Sequence, residues 1–151
     1  AGKVRSMFSL VKEKTGYEIQ PSDNAVPWAV RMAGWSRERF KTAPDGSTCY
    51  SRTNGASYKG EVAHLYEVVM VKVPNETNKF KSKWRKGCWL GKSELSDGHL
   101  VDTPDLGMIE SRTFHRLPES ERWSSELVQS IHGVPWSVKK TIEAEKQALE
   151  R

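Results

Sequence analysis

Residues 71–92 read VKVPNETNKFKSKWRKGCWLGK, a stretch that ends one predicted strand and contains the next. The β-branched residues before Pro74 are typical of a strand, and Gly87 and Gly91 bracket a second short apolar run. Between residues 72 and 92 there are seven basic residues and one acid, which gives +6, while the whole chain carries +5. The rest of the chain therefore sums to −1, and the basicity belongs to this basic segment, residues 72–92.

Three aromatic rings, Phe80, Trp84 and Trp89, alternate with these basic groups. Cationic side chains around stacking surfaces suit a polyanion with flat bases, so the pattern favours nucleic acid. The alternative is a solvated Lys-rich loop that only keeps the protein soluble. The candidate nucleic-acid contacts are Lys72, Lys79, Lys81, Lys83, Trp84, Arg85, Lys86, Trp89 and Lys92.

Outward from this segment, short apolar runs with β-branched residues recur between turn residues, which is typical of an antiparallel sheet. Their spacing predicts a small β-barrel of the Src-homology-3-like kind, in which closure or a fifth strand would protect the edges. Within it we expect Leu90 in the core and Trp89 partly exposed beside the basic loop. The predicted strands are 65–73, 87–91, 98–103 and 108–114.

Helical periodicity flanks this region on both sides, so we predict an α+β fold with N-terminal helices, the barrel and C-terminal helices. Gly16 ends the first helix, Thr48 caps a short third one, and Ser137 caps a polar tail. The predicted helices are 3–15, a second from Asn24 or Pro27 to Phe40, 48–52, 124–132 and 137–151. The predicted divisions are 1–60 helical, 61–118 basic barrel and 119–151 helical tail.

Patterns of reactive groups are weak in this chain. The histidines and the two cysteines, Cys49 and Cys88, do not stand at zinc-ligand spacing, and no nucleophile motif is present. Asp102 and Asp105 lie in turn-like sequence, where solvated carboxylates are expected. We therefore predict no cofactor, no metal and no catalytic residues. The low cysteine count favours an intracellular protein, with the nucleus as one location to consider, and no apolar run is long enough for a transmembrane segment.

Three groups of residues, taken in order, resemble the C-terminal part of a copia-type retrotransposon integrase. The first is PWAVRMAGW at 27–35 with Arg39-Phe40, and the second is DGSTCY at 45–50 with YKGE at 58–61. The third is WRKGCWLGK at 84–92 with DGH at 97–99 and Arg112. The resemblance covers roughly residues 1–136. It implies a DNA-integration protein in which the end of a ribonuclease-H-like core leads into a small barrel.

This chain departs from the family at the catalytic site. The resemblance places the family's two metal-binding aspartates well upstream of Ala1, and its glutamate also falls before Ala1. Glu13 lies on the first predicted helix but does not match the motif. The first two helices would therefore have to pack on each other, on the barrel or on a partner.

Two functions follow as hypotheses. The first is binding to a DNA or RNA backbone with low sequence specificity, by an integrase portion that lacks its acidic triad. The second is a domesticated structural or interaction subunit of a larger assembly that uses the basic loop and the tryptophans as contacts, with Trp28, Trp35 and the C-terminal helix on the side of a protein partner.

Overall fold

The computed structural model describes residues 2–73 and 83–137, and within them it combines α-helices with one antiparallel sheet, as an α+β chain should. The predicted tail helix and Lys79, Phe80 and Lys81 lie outside the described residues. The α-helices are α1 (Gly2–Thr15), α2 (Ala25–Phe40), α3 (Cys49–Asn54) and α4 (Ser125–Gln129).

Capping residues set the boundaries of the short helices, and Thr48 acts as predicted. Thr48 accepts a hydrogen bond from the Ser51 amide and begins α3, while Gly55 ends it at φ 79°, a left-handed conformation that glycine adopts without strain. Ser124 caps α4 in the same way, through the Leu127 amide. That helix ends at Gln129 and is shorter than the predicted 124–132.

The sheet contains β1 (Val68–Lys72), β2 (Trp84–Lys92), β3 (His99–Thr103), β4 (Gly107–Ser111) and β5 (Phe114–Arg116), in the order β4-β3-β2-β1-β5. The single strand predicted at 108–114 is thus two strands, β4 and β5. Strand β5 is the fifth strand that was expected to protect an edge of the sheet. It pairs with β1 and covers one edge of it. The basic loop is also shorter than predicted, because residues 84–86 belong to β2.

The sheet is strongly curled. Strands β4 and β5 stand at opposite edges, yet only Arg112 and Thr113 separate them in the chain. Three Cα steps span at most about 11 Å. The outer strands of a flat five-stranded sheet would lie about 19 Å apart. The short connection therefore requires the two edges to approach, although no β4–β5 ladder forms among the described residues.

Both faces of β2 are covered. Trp89 is completely buried, and its Nε1 donates a hydrogen bond of 3.0 Å to Nδ1 of the buried His99. The expectation that Trp89 is partly exposed is therefore wrong. Leu90, on the other side, is also completely buried, as expected. The pairing of β2 with β3 shifts between Trp89 and Gly91, so a bulge lies at Leu90.

Helices α2 and α4 both contact β2, and Arg31 and Met32 of α2 lie against Gly91, the residue after Leu90. Trp28 and Trp35 of α2 are 0% and 2% exposed, so the prediction that they contact a partner protein is wrong. The Trp28 indole instead donates to the carbonyl of Gly133, which holds the segment after α4 against α2. A single hydrophobic cluster extends from Val11 to Ile131. The first helices thus pack on each other and on the sheet.

The close approach of β2 and β3 at Gly87 gives a stability prediction. A Cβ there would collide with Val101 Cγ1 and lie 2.7 Å from the Asp102 carbonyl oxygen, while one at Gly34 in α2 would meet nothing within 4 Å. We expect Gly87→Ala to lower the free energy of unfolding in urea by about 1–3 kcal/mol. The matched control Gly34→Ala should raise it by about 0.5–1 kcal/mol. A Gly87→Ala protein as stable as the wild type would contradict the register.

The Trp89–His99 hydrogen bond predicts a pH dependence. Burial, with a smaller contribution from Lys92, lowers the pKa of His99 to about 4, against about 6.5 for an exposed histidine. Between these values the unfolded chain binds the extra proton, so stability should fall as the pH decreases from about 6.5 to about 4. His99→Asn keeps an acceptor for Trp89 but does not titrate. The free energy of unfolding of the wild type, relative to that of this variant, should therefore decrease as the pH falls over that range. A difference that stays constant with pH would show that folding does not keep the His99 ring neutral.

Candidate nucleic-acid interface

One end of the sheet presents basic and aromatic side chains on a single face. Lys72 of β1 is paired with Trp84 of β2, and Met70 of β1 is paired with both Lys86 of β2 and His115 of β5. Directly paired residues, and residues two apart along a strand, lie on the same face of a sheet. The antiparallel register therefore gathers side chains that lie up to 43 positions apart in the chain.

The aromatic rings of Trp84 and His115 form a pair on this face. Their centroids are 4.8 Å apart and their planes are inclined by 34°. Since β1 lies between β2 and β5, the two side chains meet across the middle strand, above Met70. Trp84 is half-buried and His115 is exposed. The pair is thus fixed by three strands and has an exposed member.

Positive charge surrounds this ring pair. Lys72 and Lys86 are exposed on this face. Lys83 is also exposed and directly precedes Trp84, but its carbonyl accepts from the amide of the buried Val73, and the alternation of the strand gives Lys83 the same face as Arg85. The Lys86 ammonium is 3.8 Å from a Glu121 carboxylate, but both side chains are at least half exposed and such a pair is weak. We call Lys72, Trp84, Lys86 and His115 the basic patch.

Three of the candidate contacts predicted from the sequence lie elsewhere. Arg85 alternates to the opposite face of β2, where its Nε donates to Asp105 Oδ2 at 3.0 Å. Lys92 is 3% exposed, and its ammonium is 3.0 Å from Asp97, so this lysine is not a surface group. Trp89 lies in the core and has no surface for stacking. Of the nine candidates, Lys72, Trp84 and Lys86 come together in the basic patch, and Lys83 is exposed next to it.

His115 belongs to the basic patch although no sequence pattern indicates it. The predicted strand 108–114 stops just before this residue, whereas the true division after Ser111 creates a separate strand on the other side of β1. Only the pairing of β5 with β1 places His115 two strands from Trp84. An isolated histidine beside a phenylalanine does not predict this.

A second cluster joins Asp102, His132 and Cys88 beneath α4. Asp102 is 1% exposed, and its carboxylate is 3.0 Å from His132 Nδ1, so the prediction of a solvated carboxylate is wrong. Burial raises the pKa of Asp102, and the contacts with His132 partly offset this. Burial also raises the pKa of the Cys88 thiol, whereas a nucleophilic cysteine needs a lowered one. The cluster anchors the segment after α4 and is not arranged as a nucleophile.

A polar cleft of about 410 Å³ lies near the end of α2, lined by Arg39, Tyr50, Tyr58 and Asp97 among others. The Arg39 guanidinium carbon stands 4.4 Å from the centre of the Trp35 ring and within 5.4 Å of both tyrosine rings. The aromatic surfaces here are therefore already occupied by a cation from the chain itself.

Within the described ranges, the His, Cys, Asp and Glu side chains form no group of three or more that could hold a metal ion. No described helix combines the length and apolarity needed to cross a membrane. Comparisons of this chain with protein-family models, curated proteins and solved structures find no match. The basic patch is thus characterised by its geometry alone.

The burial difference between two lysines of β2 can be tested. Lys92→Ala removes a buried ammonium and its hydrogen bond to Asp97, and should lower the free energy of unfolding by about 1–3 kcal/mol. Lys86→Ala, an exposed position on the same strand, should change it by less than about 0.5 kcal/mol. Urea unfolding of both variants checks this, and equal effects would mean that Lys92 is as accessible as Lys86.

Proposed function

We propose that this chain is the nucleic-acid-binding C-terminal portion of a retrotransposon-type integrase, that it lacks the acidic triad, and that it binds DNA or RNA with low sequence specificity. One observation carries the proposal: two exposed lysines, Lys72 and Lys86, flank the Trp84–His115 ring pair on one face of the sheet. Lysines attract phosphates without distinguishing bases, which is the basis of the low specificity.

Lys79 and Lys81 extend the same proposal, since the segment that carries them connects Val73 with Lys83 at this end of the sheet. Their part in binding is proposed from the sequence. Together with Lys72 and Lys86 of the basic patch and the neighbouring Lys83, they make five cations for phosphate contact. Arg85 and Lys92 are left out, because each is engaged with a carboxylate.

The sheet itself is proposed to be a Src-homology-3-like barrel. Its support is the curl that the two-residue connection between β4 and β5 requires, together with the cover that β5 gives to β1. Ser111 Oγ also donates to the Lys72 carbonyl at 2.9 Å, which ties the end of β4 to β1. A barrel would leave its outer surface, including the basic patch, available to a polyanion.

No catalytic step is assigned to this chain. From the resemblance we expect that strand transfer needs the family's acidic residues, which do not match any position of this chain. Glu13 lies in the second half of α1, followed by Lys14 and Thr15, and is exposed. An exposed carboxylate near the C-terminal end of a helix suits a solvated role.

The proposal predicts a strong dependence of duplex DNA binding on salt. With five phosphates neutralised, log affinity should fall against log salt with a slope of about −4 to −5. Replacing Lys72, Lys83 and Lys86 together by Ala should weaken binding and reduce the slope by about 2–3. Fluorescence anisotropy at several salt concentrations measures both quantities.

A control with the same change in net charge separates the basic patch from overall charge. Lys3, Lys12 and Lys41 are exposed residues in or next to α1 and α2. Their triple Ala variant should retain nearly all affinity and slope. Equal losses in the two triple variants would contradict a localised interface.

The alternative function is a structural subunit of a larger assembly. Trp136 favours it, because this ring is 77% exposed and follows the segment that is held on α2, whose Val30 is 61% exposed. That function predicts self-association or partner binding that is insensitive to salt. Sedimentation of the full chain with and without DNA distinguishes the two functions.

A further inference from the structure

We infer that the Trp84–His115 ring pair stacks on an unpaired base, so that the preferred ligand of the basic patch is a single strand or a single-stranded end. This inference rests on the proposed function and names its substrate class. Lysines alone would bind any phosphate backbone, but a lysine-rich surface does not require two adjacent aromatic rings. Bases in a duplex are stacked on each other and cannot offer their faces to a ring at the protein surface.

The geometry suits an extended stack. Trp84 and His115 are already 4.8 Å apart with planes 34° from parallel, and the outer ring, His115, is exposed. The half-buried Trp84 is supported beside Lys72 on β1, so little side-chain freedom remains to be lost on binding. A base placed against this pair would therefore continue a stack that exists before binding.

The charges are placed to hold the flanking phosphates. Lys72 is directly opposite Trp84 on the neighbouring strand, and Lys86 is two residues further along β2 on the same face. Both cations thus flank Trp84, one across from it on β1 and one along β2. This alternation of cation and ring matches a strand whose backbone is bound electrostatically while its base is stacked.

The test compares three DNA probes with the full chain. These are an oligothymidylate of about 15 nucleotides, an abasic strand of the same length, and a duplex. The abasic strand has the same phosphates without the bases. The wild type should bind the oligothymidylate about 5- to 100-fold more tightly than the abasic strand.

Variants then assign the preference to the rings. His115→Ala changes an exposed side chain, and it should weaken binding of the oligothymidylate several-fold more than binding of the abasic strand, which removes much of the preference. His115→Phe should retain the preference, as should Trp84→Phe. Trp84→Ala should lose the preference most, and its circular dichroism spectrum checks its folding.

Two results distinguish a failure of base stacking from a failure of the proposed nucleic-acid binding. If the wild type binds all three probes with the expected salt dependence, but equally, and His115→Ala has no effect, stacking is overturned and backbone binding remains. If the wild type binds none of the probes, both are overturned.

Discussion

The structure depends on covering both faces of β2 at one end while leaving one face open at the other. Trp89 and Leu90 are adjacent in the chain and point to opposite sides, yet both are completely buried. This is possible because the curled sheet encloses Trp89, where His99 accepts its indole hydrogen, while α2 and α4 pack on β2, with α2 against Gly91 beside Leu90. Burying two such side chains contributes several kcal/mol, about 1.5–3 for a leucine alone.

The basic patch is a consequence of this cover. Strand β2 is nine residues long, and burial increases along it from the exposed Lys86 to the enclosed Gly87 and beyond. Helices α2 and α4 contact it, while the end that begins with Trp84 retains exposed residues. The same strand thus serves as the centre of the core and as one edge of the candidate interface. Its alternation also separates Arg85 from Trp84 and Lys86.

Local signals in the sequence were sufficient for most of the elements. Thr48, Gly55 and Ser124 act through hydrogen bonds and backbone angles within a few residues, so the caps they form can be predicted. Trp89 and Lys92 could not be placed, because their burial depends on the curl of the sheet and on packing between distant parts of the chain. A lysine with 3% exposure is rare, and the composition of the basic segment provides no reason to expect one.

Only part of the candidate site could be predicted, again because the rest depends on contacts between distant parts of the chain. The excess of lysines located the correct strands, but its members are divided between two faces by the period of the strand. His115 enters through a pairing across β1 that no local pattern encodes. Conversely, Asp102 looked solvated beside a turn, and its burial against His132 depends on the segment after α4.

The central claim is that nucleic acid contacts the face with Trp84 and His115. Nuclear magnetic resonance of the labelled full chain, titrated with single-stranded DNA, tests it most directly, because each indole gives its own signal. The account predicts shifts of the Trp84 indole and of the Lys72, Lys86 and His115 amides. The Trp89 indole, buried against His99, should remain in place. Shifts concentrated instead around Arg39, Tyr50 and Tyr58, with Trp84 unchanged, would contradict it.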